Sequence, residues 1–343
     1  MRQAAGAARP TRRRAICFAL LRRRRLGGFL LLSGASLYAS FLAGSQAFSP
    51  MTILSSVDCW SWRGWCWQRR PSTTAKLDAV ASPPQANKLG FLVQFSLAKK
   101  VAVVTGSSRG LGRGAALGLA EAGADVALLG RDEQRLAAVK REVAALGQRA
   151  LVVPTDVTKP AEVDTACKRV LDYFGRVDVL VNNAGVAQVA PLFEIKDEAL
   201  VAIFNANVFG TFYCCRAFGA HMVAAKRGSV ILMASISGMA GEKNLTAYSA
   251  TKGAVIGFTH ALASEWAPSG VRVNAIAPGY FRTDLNRQAI DDATIGPKIV
   301  RRIPLRRVGQ PEEIGPLVVY LASDASAFMT GQVVVLDGGQ LAT

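Results

Sequence analysis

The sequence predicts a single doubly wound parallel α/β sheet of about seven strands, flanked by helices and preceded by a mostly unstructured N-terminal extension. Three observations lead there: a change of texture near Lys99, a glycine-rich turn directly after the first apolar run beyond it, and a regular alternation of short apolar runs with helical stretches. Residues 101–104 form the first run, short and β-branched as in the centre of a parallel sheet. It leads into Thr105-Gly106-Ser107-Ser108-Arg109-Gly110-Leu111-Gly112 and then an Ala/Leu/Glu helix that ends near Gly123. Residues 125–129, 150–153, 177–181, 229–234, 271–277 and 333–336 read as the further strands. No repeat or second core is needed, so residues 97–343 read as one domain.

The chain has 343 residues, 50% hydrophobic and 19% charged, which is ample for a buried core. A net charge of +17 suggests nucleic acid until it is divided along the chain. Residues 1–96 hold 14 Lys/Arg against only Asp58 and Asp78, while the remainder has 27 basic and 22 acidic residues, a net of +5. That remainder offers no basic stripe with interleaved aromatics, so no nucleic-acid partner is expected. Cys17, Cys59, Cys66, Cys167, Cys214 and Cys215 form neither a CxxC pair nor a cluster with histidine. No metal site is expected, and the cysteines read as small buried hydrophobes.

Residues 1–96 read as a targeting presequence, signal-like over 1–50 and transit-like over 51–96. Arg12–Arg14 and Arg22–Arg25 precede an apolar, small-residue run at 26–44, the order of a secretory signal. The following stretch is Ser/Thr-containing and basic, with Arg63, Arg69, Arg70 and Lys76. This arrangement resembles the two-part presequences of algae with complex plastids, whose transit part begins at a Phe, here Phe48. A plastid address is expected. A mitochondrial presequence and a retained membrane anchor stay open, and a membrane is expected as a partner only through an uncleaved presequence.

Glycines after the first strand let the backbone turn sharply and bring a dinucleotide's pyrophosphate to the N–H groups at the helix start. Gly106, Gly110 and Gly112 are so placed, with Ser108, Arg109 and Leu111 between them. At the tip of the second strand, NAD enzymes place an acid against the ribose 2′-hydroxyl, whereas NADP enzymes place a cation near the 2′-phosphate. Here the strand runs into Gly130-Arg131, and Arg109 lies in the glycine turn, so two guanidiniums could clamp one phosphate. NADP(H) is therefore expected over NAD(H), with Asp132, one position further on, as the feature that speaks for NAD(H).

Tyr248 and Lys252 lie four apart on a helical stretch and share a face. A phenol is a poor acid/base at neutral pH until a nearby ammonium, together with the positive nicotinamide of an oxidised cofactor, favours its phenolate, so this pair is a candidate proton-transfer unit. Taken with the glycine turn, it makes residues 99–339 resemble the short-chain dehydrogenase/reductase family, whose motifs recur here in order: Asp156-Val157 beside the adenine, Asn182-Asn183-Ala184-Gly185 after the fourth strand, then Asn207, Ser235, Tyr248 and Lys252, and Pro278-Gly279 with Thr283 flanking the nicotinamide.

The resemblance implies a Rossmann-type fold and hydride transfer between a nicotinamide and a carbonyl or alcohol carbon. Ser235 would hold the carbonyl oxygen and Tyr248 would donate the proton. Lys252 would bind the ribose and depress the Tyr248 pKa, and Asn207 would hold a water. It also implies a homo-oligomer, dimer or tetramer, formed through the helices that carry Asn207 and Tyr248, residues 196–226 and 246–267.

Specificity is expected in the segment from Tyr280 to about Gln310, which carries Arg282, Arg287, Arg301, Arg302, Arg306 and Arg307. Two groups of the family look nearest, the 3-oxoacyl-acyl-carrier-protein reductases and the gluconate 5-dehydrogenase-like enzymes of sugar acids and polyols. An acyl-thioester substrate, with acyl carrier protein as partner, is the first expectation, and a small sugar acid the second. Lys226 stands where the first group has one carrier-docking Arg, but Ser269 stands where it has the other. A catalytically silent NADP-binding scaffold is the alternative of another class.

Overall fold

Seven short apolar runs pair in parallel throughout: β1 (Val101–Thr105), β2 (Asp125–Gly130), β3 (Ala150–Pro154), β4 (Val179–Asn182), β5 (Gly228–Met233), β6 (Val271–Pro278) and β7 (Val333–Leu336). The structure, a computed structural model, describes residues 94–284 and 286–342. The signal-like segment and nearly all of the transit-like one therefore lie outside the described residues. Sheet order is β3-β2-β1-β4-β5-β6-β7, so the chain builds outward from β1 on one side and then returns to build outward on the other. Adjacent parallel strands running to opposite sides leave a crevice at their carboxyl ends, between β1 and β4, where ligands bind in such sheets.

Alternation along each strand supplies both faces. In β1, Ala102 and Val104 join one buried cluster and Val103 the other; in β5, Ile231 and Met233 are divided from Val230 and Leu232 in the same way. The first face is covered by α1 (Gly110–Glu121), α2 (Glu133–Ala145) and α9 (Gly315–Ala322), through Leu119, Val139 and Leu321. On the second lie α3 (Pro160–Phe174), α5 (Gly210–Ala224) and α6 (Thr246–Trp266), through Val170, Phe218 and Leu262. α4 (Asp197–Phe204) runs into α5 through a π-helical turn at Asn205–Phe209, and the short helices α7 (Arg287–Asp291) and α8 (Ile295–Arg301) follow β6. Cys167, Cys214 and Cys215 are buried and unpaired, and burial pushes the first two thiols to about 11 and about 12. They behave as the small hydrophobes expected of them.

Two departures from the sequence reading have physical causes. The fourth strand begins at Val179 rather than 177, because Asp178 directs its carboxylate to the Val101 N–H (2.9 Å) and the Arg176 guanidinium. The single helical stretch expected over 196–226 is broken by the π turn, which adds a residue to one turn and re-aims Asn207 inward. Asp197–Ala224 is, among the described residues, long and apolar enough to cross a membrane, with mean hydropathy 1.3. Its apolarity serves two sides: Phe218 and Met222 are fully buried, while Phe209 and Phe212 face outward, each 46% exposed.

α1 and α9 approach so closely that a Cβ on Gly118 would lie 2.7 Å from the Gly315 Cα. Gly118→Val should therefore destabilise the protein by about 1–3 kcal/mol through overpacking. Urea unfolding followed by circular dichroism checks it; an unchanged midpoint would show that the two helices can part freely.

Candidate functional site

A cleft of about 570 Å³ opens at the carboxyl ends of the strands, over the β1/β4 crossing. The turn after β1 forms its floor. Gly106 and Gly110 take positive φ (63° and 55°), and a Cβ on Gly112 would collide with the Gly106 carbonyl oxygen, so only glycine lets this turn fold back beneath α1. Gly106, Ser108, Arg109, Gly110 and Leu111 line the cleft, whereas Gly112 packs under it. Arg109, at the N-cap of α1, supplies no side-chain cap, which leaves the first turn's N–H groups to serve an anion.

The chain after β4 is stitched to this turn. Thr105 Oγ1 accepts the Asn183 and Ala184 N–H groups, each at 3.0 Å, and Asn183 Nδ2 donates to the carbonyls of Thr105 (3.0 Å) and Gly106 (3.1 Å). Asn183, Ala184 and Gly185 thereby line the opposite wall. Further along, Asp156 and Val157 line the cleft after β3. Burial works to raise the Asp156 pKa, but the Thr158 N–H and hydroxyl, with the charges of Arg131 and Lys159, pull it below the ordinary carboxylate range.

At the tip of β2, Arg131 and Asp132 reach the cleft together with Arg135, a residue the sequence reading passed over. Asp132 is the N-cap of α2: its carboxylate accepts the Arg135 N–H at 3.0 Å and pairs with the Arg135 guanidinium at 3.3 Å. Its charge is thus engaged by the helix, which removes the main sequence argument for NAD(H). Arg135 follows the cap by three residues, and that spacing could have marked it.

The other half of the cleft holds the proton-transfer candidates. Ser235 follows β5 with its Oγ accepting the Ser237 N–H at 3.1 Å, and its hydroxyl hydrogen-bonds the Tyr248 phenol. Lys252 lies one turn past Tyr248 on α6; its Nζ donates to the Met233 carbonyl at 2.7 Å and sits 5.6 Å from the Tyr248 ring centroid. Ser235, Tyr248 and Lys252 all line the cleft, with Pro278, Gly279 and Thr283 across from them.

The electrostatics depart from the sequence reading here. Burial pulls the Lys252 pKa down to about 8, and burial also pushes the Tyr248 phenol above its ordinary value. The Ser235 hydrogen bond works to lower it and the Glu242 charge to raise it further. Burial, not the Lys252 charge, sets the direction of the shift: the ammonium faces the ring and donates to the Met233 carbonyl rather than to the phenol oxygen.

Asn207 differs as well. It is buried behind the cleft rather than in its lining, and its amide is committed: Oδ1 accepts the Val186 N–H (2.8 Å), while Nδ2 donates to the Val186 carbonyl (2.9 Å) and Thr251 Oγ1 (3.0 Å). Thr251 in turn donates to the Tyr248 carbonyl at 2.7 Å. The amide braces the post-β4 loop against α6. Thr251 lay unremarked between the two conspicuous residues of its own motif.

Glu242 is a third residue that sequence reasoning missed. Its Oε1 accepts the Tyr280 hydroxyl and the Arg302 Nη1, both at 2.7 Å, and its Oε2 lies 3.4 Å from Ser237 Oγ. It joins the loop between Ser235 and Tyr248 to the segment after β6, and no local pattern points to it.

Residues 106–340 match the family described as enoyl-(acyl carrier protein) reductase, a short-chain dehydrogenase/reductase model. The chain belongs to the short-chain dehydrogenase/reductase family. A 3-oxoacyl-[acyl-carrier-protein] reductase of Synechocystis is 41% identical over 248 residues, 72% of this chain and 98% of that protein. A 2-dehydro-3-deoxy-D-gluconate 5-dehydrogenase of Pseudoalteromonas atlantica is 40% identical over 255 residues, with shares of 72% and 98%. Among solved structures, a gluconate 5-dehydrogenase from Burkholderia cenocepacia in complex with NADP and tartrate is 36% identical, with a TM-score of 0.71 over 74% of this chain and 99% of that one. As a short-chain dehydrogenase/reductase, the chain is an oxidoreductase acting between CH–OH and C=O.

Since the Glu242 charge raises the Tyr248 pKa, Glu242→Gln should lower the pH at which that phenol ionises. Tyrosine ring-carbon NMR, with Tyr248→Phe to assign the resonance, reads the shift; an upward move would show that Glu242 acts by other means.

Proposed function

We propose that the chain is an NADP(H)-dependent reductase of 3-oxoacyl thioesters, and the observation that carries the redox reading is the meeting of Ser235, Tyr248 and Lys252 in one cleft with the bare glycine turn. The residues present fit a dinucleotide. The glycine turn and the start of α1, uncapped by any side chain, suit a pyrophosphate, and Arg109, Arg131 and Arg135 suit a 2′-phosphate. Relatives crystallised with NADP support the same cofactor.

When bound, the nicotinamide supplies the hydride. Ser235 donates a hydrogen bond to the carbonyl oxygen, and Tyr248 gives the proton to that oxygen as an alcohol forms. The raised Tyr248 pKa keeps the phenol protonated at neutral pH, as reduction requires. Lys252 binds the cofactor ribose, and Asn207 acts as a positioning residue that holds α6 in register.

Two observations bear on the substrate. Val186 lines the cleft, and the strip that follows it, Val189, Leu192 and Phe193, is 72%, 61% and 99% exposed, an apolar border suited to an acyl chain. This strip is tied to the Tyr248 loop through the Ala190 N–H to Asn244 carbonyl bond (2.9 Å). The second reading, a sugar acid or polyol dehydrogenase, is favoured by the polar trio Glu242, Tyr280 and Arg302 and by the gluconate dehydrogenases among the relatives. A small-molecule substrate would then need no carrier protein.

The outward face of α5 and α6, where the Phe212 and Phe258 rings meet at a tilt with centroids 5.6 Å apart, supports a homo-oligomer through those helices. For residues 1–96 the plastid address stands as part of this proposal, supported by the Arg-rich, then apolar, then Ser/Thr-containing order.

In an assay at the NADPH absorbance band, an acetoacetyl thioester should be reduced in preference to 5-keto-gluconate, and the opposite order would move the assignment to the second reading. Tyr248→Phe should lose about 10²–10⁴-fold in turnover and keep NADPH binding; retained turnover would remove Tyr248 as the acid. Because the Lys252 ammonium is present below about pH 8 and lost as pH rises through it, kcat/KM for reduction should fall over that range. A profile flat from pH 7 to 9 would contradict the role given to Lys252.

A further inference from the structure

Arg109 and Arg135 both donate to one oxygen of the Asp284 carboxylate, at 3.3 and 2.8 Å, and Arg287 pairs with the other oxygen at 3.2 Å. Asp284 belongs to the segment after β6, Arg109 to the glycine turn and Arg135 to α2, so three distant stretches meet over the cofactor cleft. An internal anion thus sits between two guanidiniums at the tip of β2, the place where a dinucleotide presents its ribose 2′ position. Hydrogen bonds from Arg135 and Arg109 hold the Asp284 carboxyl below the ordinary range, so it is an anion at neutral pH.

The contact is displaceable. The side chains of Arg109, Arg135 and Asp284 are 56%, 49% and 30% exposed, and ion pairs open to water contribute little individually. A phosphate brings nearly two charges and three acceptor oxygens to the same donors, against one charge from the carboxylate.

We propose that Asp284 stands in for the 2′-phosphate of NADP(H) on Arg109 and Arg135, and that the phosphate displaces it when the cofactor binds. The inference rests on the NADP(H) reading above and adds one specificity-determining residue, Asp284, to it. A cofactor with a bare 2′-hydroxyl has nothing to exchange for the carboxylate, so it leaves the Asp284 latch closed. The phosphorylated cofactor releases Asp284 and with it the start of the specificity segment, in which Thr283 binds Asn286 and Arg282 pairs with Asp291. Cofactor choice and the setting of the substrate wall are thereby one event.

Fluorescence titration of the full chain with NADPH and with NADH tests this. Asp284→Asn, near-isosteric and uncharged, should tighten NADPH by about three- to fivefold and leave NADH unchanged, since it removes the competitor and not a contact. Asp284→Ser should do the same, which guards against a folding defect of the first variant. Arg135→Gln should weaken NADPH roughly tenfold more than NADH. Weaker or unaltered NADPH binding in both Asp284 variants, with the wild type still preferring NADPH, would overturn the latch alone. Equal affinity of the wild type for NADPH and NADH would overturn the NADP(H) reading and the latch together.

Discussion

One buried ammonium organises this site. Lys252 is almost wholly enclosed, yet its Nζ has the Met233 carbonyl as a partner at the last residue of β5, and that bond joins α6 to the end of the strand that delivers Ser235. A charge so placed needs such a partner, since an unpaired one would cost several kcal/mol. Because α6 is fixed at this point, Tyr248, one turn earlier, must face the cleft and meet the Ser235 hydroxyl. Gly238 makes the approach possible: a Cβ there would lie 2.6 Å from the Lys252 backbone.

Around this pair the polar groups form a connected frame. Thr105 and Asn183 tie the glycine turn to the loop after β4; Val186 of that loop is held by Asn207, Asn207 by Thr251, and Thr251 by the Tyr248 carbonyl. The cofactor side and the proton-transfer side are thus linked through backbone groups and neutral side chains, which hold geometry without placing further charge beside the phenol. The π turn is what sends Asn207 into this chain.

The remaining charges stand in ion pairs along the segment after β6. Glu242 draws Tyr280 and Arg302 to the catalytic loop, and Asp284 draws Arg109 and Arg135 to the opposite end of the same segment. The stretch from Tyr280 to Arg302 is therefore pinned at both ends by ion pairs, one beside the phenol and one over the cofactor groove. The Asp284 pairs, open to water, are weak enough to exchange for a ligand's charges, whereas the Glu242 carboxylate is largely enclosed.

The sequence by itself determined the sheet, the glycine turn and the Tyr248–Lys252 pair, because these depend on short-range rules: alternation along strands, backbone conformations open to glycine, and the shared face of residues four apart on a helix. Only the tertiary structure decided the rest. Asp284 meets Arg109 across 175 positions, and Glu242 meets Arg302 across 60, separations at which no local spacing carries information. The direction of the Tyr248 shift was likewise invisible, since a neighbouring ammonium is legible in a motif, whereas burial, which sets the direction here, is a property of the whole packed chain.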